Sequence, residues 1–270
     1  MYTFNKLNLL GMITFALIGF CLLTLNPAFA AINTDNITAL WLFDEGEGTT
    51  ATDSSGNGND GTIHGATWVD GKFGQALEFN GTDNWVEVPH SQTVSFEAGT
   101  SFSLTVHFKG TKVGGSLAGK NYEDTTQVLP WYMLWNGGGD NKVTFFLRNS
   151  ASQNYRPIST TEIGDDQWHF VAGVADADSA KVSLWVDGVK EAEVDYDTAS
   201  GYGTGEGVFH IGRHFNRYTA GIIDEVVLFN TALSEADLQT VMNDGLAALT
   251  AVEAEGKIAT TWGSIKKRSK

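Results

Sequence analysis

From residue 37 onward, apolar and polar positions alternate with a period of two over short runs, the pattern of half-buried β-strands. Residues 37–43, 62–68, 101–108, 114–120, 131–135, 142–148, 167–175, 181–186, 189–194, 207–213 and 221–230 read as strands, with Gly, Asn and Asp between them. Residues 76–79 and 85–88 read as two strands joined by a short turn at Asn80-Gly81, and Asp187-Gly188 closes a tight hairpin. One helix stands out. Ser234 is a good N-cap with Asp237 three residues on, Leu238, Val241 and Met242 form an apolar stripe, and Gly245 weakens the second half. About ten to thirteen strands without an internal repeat predict an all-β, two-sheet antiparallel sandwich with one short C-terminal helix.

The run 221–230 differs from the others because both of its sides are apolar. Ile222, Val226 and Leu228 fall on one side of the pleat and Ile223, Val227 and Phe229 on the other, as in a strand covered on both faces. Asp224 on such a strand is expensive unless paired, hydrogen-bonded or metal-bound. Trp41-Leu42-Phe43-Asp44-Glu45 has the same look. The expectation is that the two strands lie close together and that their carboxylates share a structural calcium ion. For Asp224 alone, the other reading is a carboxylate accepting backbone N–H bonds from a neighbouring loop.

Composition narrows the setting. Residues 1–30 carry Lys6, a long apolar run and Ala28-Phe29-Ala30 before Ala31, which reads as a signal peptide cleaved after Ala30. The rival is an uncleaved anchor, and both put the body outside the cytoplasm, secreted or at the cell surface. Residues 31–249 form one domain, and residues 250–270 lose the pattern and read as a basic, disordered tail. Cys21 is the only cysteine, so the body has neither disulfides nor thiol chemistry. The 17 basic residues, less Lys6 and the five after residue 256, leave 11 against 32 acids, a balance of −21 for the body. Such a body repels nucleic acid and anionic membranes and attracts divalent cations, and no membrane insertion is expected once the signal is cleaved.

The order of short motifs resembles the laminin-G-like, concanavalin A-like jelly-roll domains. The resemblance is carried by 39–45 (ALWLFDE), 53–61 (DSSGNGNDG), 71–81 (GKFGQALEFNG), 86–89 (VEVP), 167–173 (QWHFVAG), 185–188 (WVDG), 210–213 (HIGR), 223–226 (IDEV) and 232–234 (ALS). It covers residues 37–249 and is weakest over 110–157. It implies two stacked antiparallel sheets with the N- and C-terminal strands adjacent. It also implies a structural Ca2+ where the first strand, the Asn/Gly-rich loop and the last strand meet. Asp224 is the ligand that carries over best, and the Asp44 region with Asn59 and Gly61 adds side-chain or carbonyl oxygens.

Catalytic patterns are poor. Asp53, Ser55, Asn57, Gly58 and Asn59 imitate part of an EF-hand loop, but His64 stands where the last acid belongs, and no helices flank the loop. The resemblance includes laminarinase-type hydrolases, which need Glu-x-Asp-x-x-Glu; Glu193-Val194-Asp195-Tyr196-Asp197-Thr198 ends in Thr198 instead. The six histidines form no HExxH, and no G-x-S-x-G elbow occurs. Binding fits better. Trp131, Trp135, Tyr155, Arg213, Arg217 and Tyr218 lie in less regular segments, where rings can stack on sugar faces and guanidinium groups can bond hydroxyls. Against this, any one ring can equally be core, and Trp41, Trp68, Trp85, Trp168 and Trp185 read as core. The expectation is a non-catalytic, exported recognition module for glycans or extracellular proteins. The alternatives are a secreted carbohydrate-active enzyme and a structural or adhesive envelope protein.

Overall fold

The computed structural model describes residues 32–112, 114–120, 131–135, 141–202 and 207–246. The signal segment, the basic tail and residues 136–140 of the glycine-rich turn lie outside them. The described residues form an eight-stranded and a nine-stranded antiparallel sheet, with a separate two-stranded ribbon. The main core lies between the sheets. It takes Leu77, Phe102, Leu104, Val106 and Leu228 from the first sheet and Val86, Tyr132, Leu134, Phe145 and Phe209 from the second, all fully buried.

The strand Ala220–Phe229 holds the eight-stranded sheet together. It pairs with Ile37–Trp41, Phe102–Lys112 and Gln75–Asn80. The first strand does lie against the last, with Trp41 opposite Val226. Both faces of the long strand are covered, as its two-sided pattern requires. Its alternation differs from the expectation at one point. Ile223 and Val226 both face the main core, separated by two residues instead of one, while Val227 and Phe229 face a second core. The cause is a register shift between Asp224 and Val227, where Glu225 takes a left-handed φ of 42°. Such a bulge turns consecutive side chains away from the core.

The second core covers the outer face of the eight-stranded sheet. Leu40, Phe170, Ala172, Val227 and Phe229 meet Leu233, Leu238, Val241 and Leu246 there. The helix Glu235–Asp244 begins with a complete capping box between Ser234 and Asp237. Gly245 is its C-cap at φ 64°, a conformation glycine adopts without strain, so it ends the helix instead of weakening it. Gln239 Nε2 donates to the Gly188 carbonyl at 3.2 Å, which ties the helix to the Asp187-Gly188 hairpin.

Two expected strand pairs divide between the sheets. Gln75–Asn80 belongs to the eight-stranded sheet, whereas Trp85–Val88 belongs to the nine-stranded one. The turn between them therefore crosses the sandwich and makes no hairpin. The run 62–68 breaks likewise at Gly65, into Gly61–His64 and Thr67–Asp70. Near its end the chain leaves the nine-stranded sheet at Gly212. It forms the ribbon of Arg213–His214 against Arg217–Tyr218, then returns as the long strand.

Candidate functional site

The outer face of the nine-stranded sheet is where rings and cations collect. On Trp131–Trp135, Tyr132 and Leu134 face the main core, which sends Trp131, Met133 and Trp135 to the other side. On Lys142–Arg148, Val143, Phe145 and Leu147 face the core, so Thr144, Phe146 and Arg148 face outward. The same alternation places His64, Trp85, Glu87 and His210 outward. Gly119, opposite Met133 and His210, keeps the floor low: a Cβ there would sit 2.6 Å from the Met133 Cα.

The ribbon folds over this face. The His214 ring centroid is 5.0 Å from Trp131 and 5.6 Å from Trp135, and Phe215 is 6.1 Å from Trp131. The Arg213 guanidinium lies 4.8 Å above Trp85, whose other neighbours are His64, stacked at 4.2 Å, and Tyr218 at 6.1 Å. Arg156 lies 5.4 Å from the Trp135 ring and 5.5 Å from Phe146, and Arg217 is 6.0 Å from Trp135. These are cation–π distances.

Several polar atoms of this face are unsatisfied. The indole N–H groups of Trp85, Trp131 and Trp135, Nδ1 of His214 and Nε of Arg148 are buried without a hydrogen-bond partner among the described residues. Each such group costs about 1–3 kcal/mol. Native structures hold few of them. Five of them gather on this one face.

Five of the six residues expected to bind ligand meet here: Trp131, Trp135, Arg213, Arg217 and Tyr218. Tyr155 does not. Its ring meets Tyr196 and Tyr202 at the core margin, and its hydroxyl accepts from the Asp197 backbone at 3.1 Å. Two tryptophans read as core are not. Trp85 is half-buried on the outer face, because Val86 and Val88 are the inward residues of its strand. Trp168 lines a pocket of ≈150 Å³ with Lys72, His107 and Asp187. Phe146, Arg156 and His214 also belong to the site. The clue to Phe146 was parity: it lies two residues from Arg148 on a strand whose intervening positions, Val143, Phe145 and Leu147, face the core, whereas Arg156 lies outside any strand and had no such signal.

The residues expected around a cation fall into two pairs. Asp44 and Asp224 grip one turn. Asp224 Oδ2 accepts from the backbone N–H of Lys72 at 2.8 Å and Phe73 at 2.9 Å, and Oδ1 accepts from Glu225 N–H at 2.8 Å. Asp44 Oδ1 accepts from Gln75 N–H at 2.9 Å. Asn59 and Gly61 belong to a second knot centred on buried Asp53. Asp53 accepts from the backbone of Leu40, Ser55 and Asn59. The Asn59 carbonyl accepts the Trp41 indole N–H at 2.9 Å, and its Oδ1 accepts the Thr93 hydroxyl at 2.7 Å. Gly61 is a packing position, where a Cβ would stand 2.6 Å from Val86 Cγ1. Among the described residues, no three His, Cys, Asp or Glu side chains are grouped to hold a metal ion.

Burial is the main reason that the Asp224 carboxyl is raised to about 7; its backbone bonds oppose the shift, and the Asp44 charge adds to it. Two repelling carboxylates at one turn fit an oxygen-liganded cation, provided that backbone carbonyls or water make up the six to eight oxygens calcium takes. Another buried titratable group, His169, is bracketed by Asp187 Oδ2 at 2.8 Å and Asp165 Oδ1 at 3.0 Å. The bond to Asp187 is the largest of the effects that raise its pKa. This bracket pins the Asp187-Gly188 hairpin.

A family model described as the concanavalin A-like lectin/glucanases superfamily, Laminin_G_3, matches residues 80–239. The chain belongs to this superfamily. A search of curated proteins found no match. Among solved structures the chain is similar to domain 4 of AbnA, a GH43 extracellular arabinanase from Geobacillus stearothermophilus, in complex with arabinotriose. That match has 21% identity and a TM-score of 0.63, and covers 77% of this chain and 98% of that one. It is also similar to the binding domain of Paraclostridial Mosquitocidal Protein 1, at 13% identity and a TM-score of 0.64, covering 79% of this chain and 53% of that one. The binding domain of botulinum neurotoxin serotype G matches at 11% identity and a TM-score of 0.57, covering 77% and 50%. At these identities the likeness is one of fold.

The raised Asp224 pKa gives a signed prediction. In chelator, the folded state keeps this proton up to about pH 7, while the unfolded chain releases it near the ordinary 3.8. The group's contribution is therefore fully present below that lower value and is lost as pH rises through about 7. Relative to Asp224→Asn, the native chain should lose urea stability between about pH 5.5 and pH 8. A constant difference between the two proteins over that range would show that Asp224 is ionised throughout.

Proposed function

We propose that this chain is an exported, non-catalytic recognition module that binds glycans on the outer face of its nine-stranded sheet. The observation that carries the reading is the convergence of half-buried Trp85, Trp131 and Trp135 with buried, unpartnered donors on one sheet face. Indole faces give a sugar ring an apolar platform, and fixed N–H donors select its hydroxyls. The arabinanase domain, whose structure was solved with arabinotriose, supports the reading by its fold. Export rests on the apolar run and Ala28-Phe29-Ala30 near the N-terminus.

A non-catalytic role is supported by the fate of the acidic segment that came nearest to a hydrolase pattern. It lies on the edge strand Val189–Asp195, where Glu193 pairs with Lys190 at 2.7 Å and Asp195 pairs with Lys181. Glu193 shares an open cleft of ≈340 Å³ with Asp176 and Glu235, but Lys181 and Lys190 line it too and hold the acids of this strand in ion pairs. Glycan is favoured over a protein partner because arginines and indole N–H groups are interspersed among the rings of the outer face.

The expected outcome for Trp135→Ala is at least a tenfold loss of affinity for oligosaccharides that bind, about 1.4 kcal/mol. Titration calorimetry across neutral and acidic oligosaccharides checks this, and unchanged affinity in both Trp131→Ala and Trp135→Ala would move the site elsewhere. Calcium at Asp44 and Asp224 completes the proposal as a stabiliser of the closing strand. Added calcium should raise the thermal midpoint of the native chain but not that of Asp224→Ala. An equal response in both proteins would remove Asp224 from any calcium site.

A further inference from the structure

The chain is strongly acidic, with a formal charge of −15, yet all four arginines between residues 32 and 246 gather at the outer face of the nine-stranded sheet. Arg148 stands opposite Trp131 on the neighbouring strand. Arg156 and Arg217 lie over Trp135, and Arg213 lies over Trp85. No shared element explains this grouping, because the four come from three separate segments of the chain. A guanidinium within about 6 Å of a ring centroid is held there by cation–π attraction, and the N–H fork of such a group can donate to a planar carboxylate or a sulfate.

The rest of the face keeps this charge in force. His210 and His214 stay neutral, lowered to about 3 and about 4, chiefly by burial and further by the charges of Arg213 and Arg217. Glu87, which faces outward there, lies 3.7 Å from the His210 ring. Beside the ribbon is a cleft of ≈350 Å³, open to solvent, large enough for a sugar ring. Lys112 and Arg217 flank it, Asn216, Tyr218 and Thr82 supply neutral polar groups, and no acidic residue lines it.

We propose that the ligand of this face is an anionic glycan bearing carboxylate or sulfate groups, with Lys112 and Arg217 holding the oxyanion in the cleft and the tryptophans holding the sugar rings. This rests on the glycan-binding reading above and names the chemical class of ligand.

The test is calorimetric titration of the purified chain with two matched pairs: polygalacturonate against its methyl ester, and dextran sulfate against dextran. At least one charged member should bind at least tenfold tighter than its neutral partner, and the pair that shows the preference separates uronate from sulfate. That preference should shrink as salt rises from about 0.05 M to about 0.5 M. Arg217→Gln should remove most of the preference, while Lys190→Gln, on the edge of the other sheet, should leave it intact. Equal binding within both pairs, still weakened by Trp135→Ala, would overturn the anionic ligand and leave the glycan reading standing. A preference lost equally in Lys190→Gln would also overturn it, as general charge attraction. No binding by any of the four would count against the glycan reading itself.

Discussion

The fold depends on a buried carboxylate placed on the strand that bonds three others. Asp224 sits on Ala220–Phe229, fully buried, with backbone N–H groups from Lys72, Phe73 and Glu225 as its donors. Hydrogen bonds to a charged group contribute about 1.5–3 kcal/mol each. Desolvation of the ion costs several kcal/mol. Desolvation outweighs these bonds, so the carboxyl retains its proton towards neutral pH, while the bonds hold the turn close. The bulge that frees Asp224 from the core also frees Glu225, whose Oε1 accepts from Leu246 N–H at 3.1 Å just beyond the helix. His107, opposite Asp224, meets the Met242 carbonyl at 3.3 Å. One irregularity in a strand thus fastens a turn on one side and the helix on the other.

That fastening makes the sandwich unequal. The helix and the second core cover the outer face of the eight-stranded sheet, where Val227 and Phe229 are buried. Among the described residues, the short ribbon is what lies over the outer face of the nine-stranded sheet. Side chains there cannot be satisfied by a packed layer, and the sequence supplies rings and guanidinium groups instead of aliphatic residues.

Much of the fold was legible because a sheet with one face on a core alternates. The runs at 131–135, 142–148 and 181–186 match their strands in the structure. What alternation cannot show is which sheet a strand joins, so 76–79 and 85–88 read as a hairpin although their turn crosses the sandwich. Nor does it reveal a bulge, because Asp224-Glu225 looks the same in sequence whether or not the backbone shifts. The site was half legible. Trp131, Trp135, Arg213, Arg217 and Tyr218 stood out as rings and cations in irregular segments. Trp85 was hidden by its apolar neighbours, and only the parity of Val86 and Val88 placed it outward. Tyr155 was misplaced because a ring near an arginine in sequence, here Arg156, can face the opposite way on an extended chain.

The most direct measurement is the indole N–H region of a ¹⁵N-resolved NMR spectrum during titration with a bound oligosaccharide. The chain has eight tryptophans, so each indole is a separate probe of its own surroundings. Trp85, Trp131 and Trp135 should shift with one common saturation curve, while core Trp41, whose N–H already meets the Asn59 carbonyl, should stay in place. Saturable shifts confined to other tryptophans, with those three unmoved, would contradict recognition at this face.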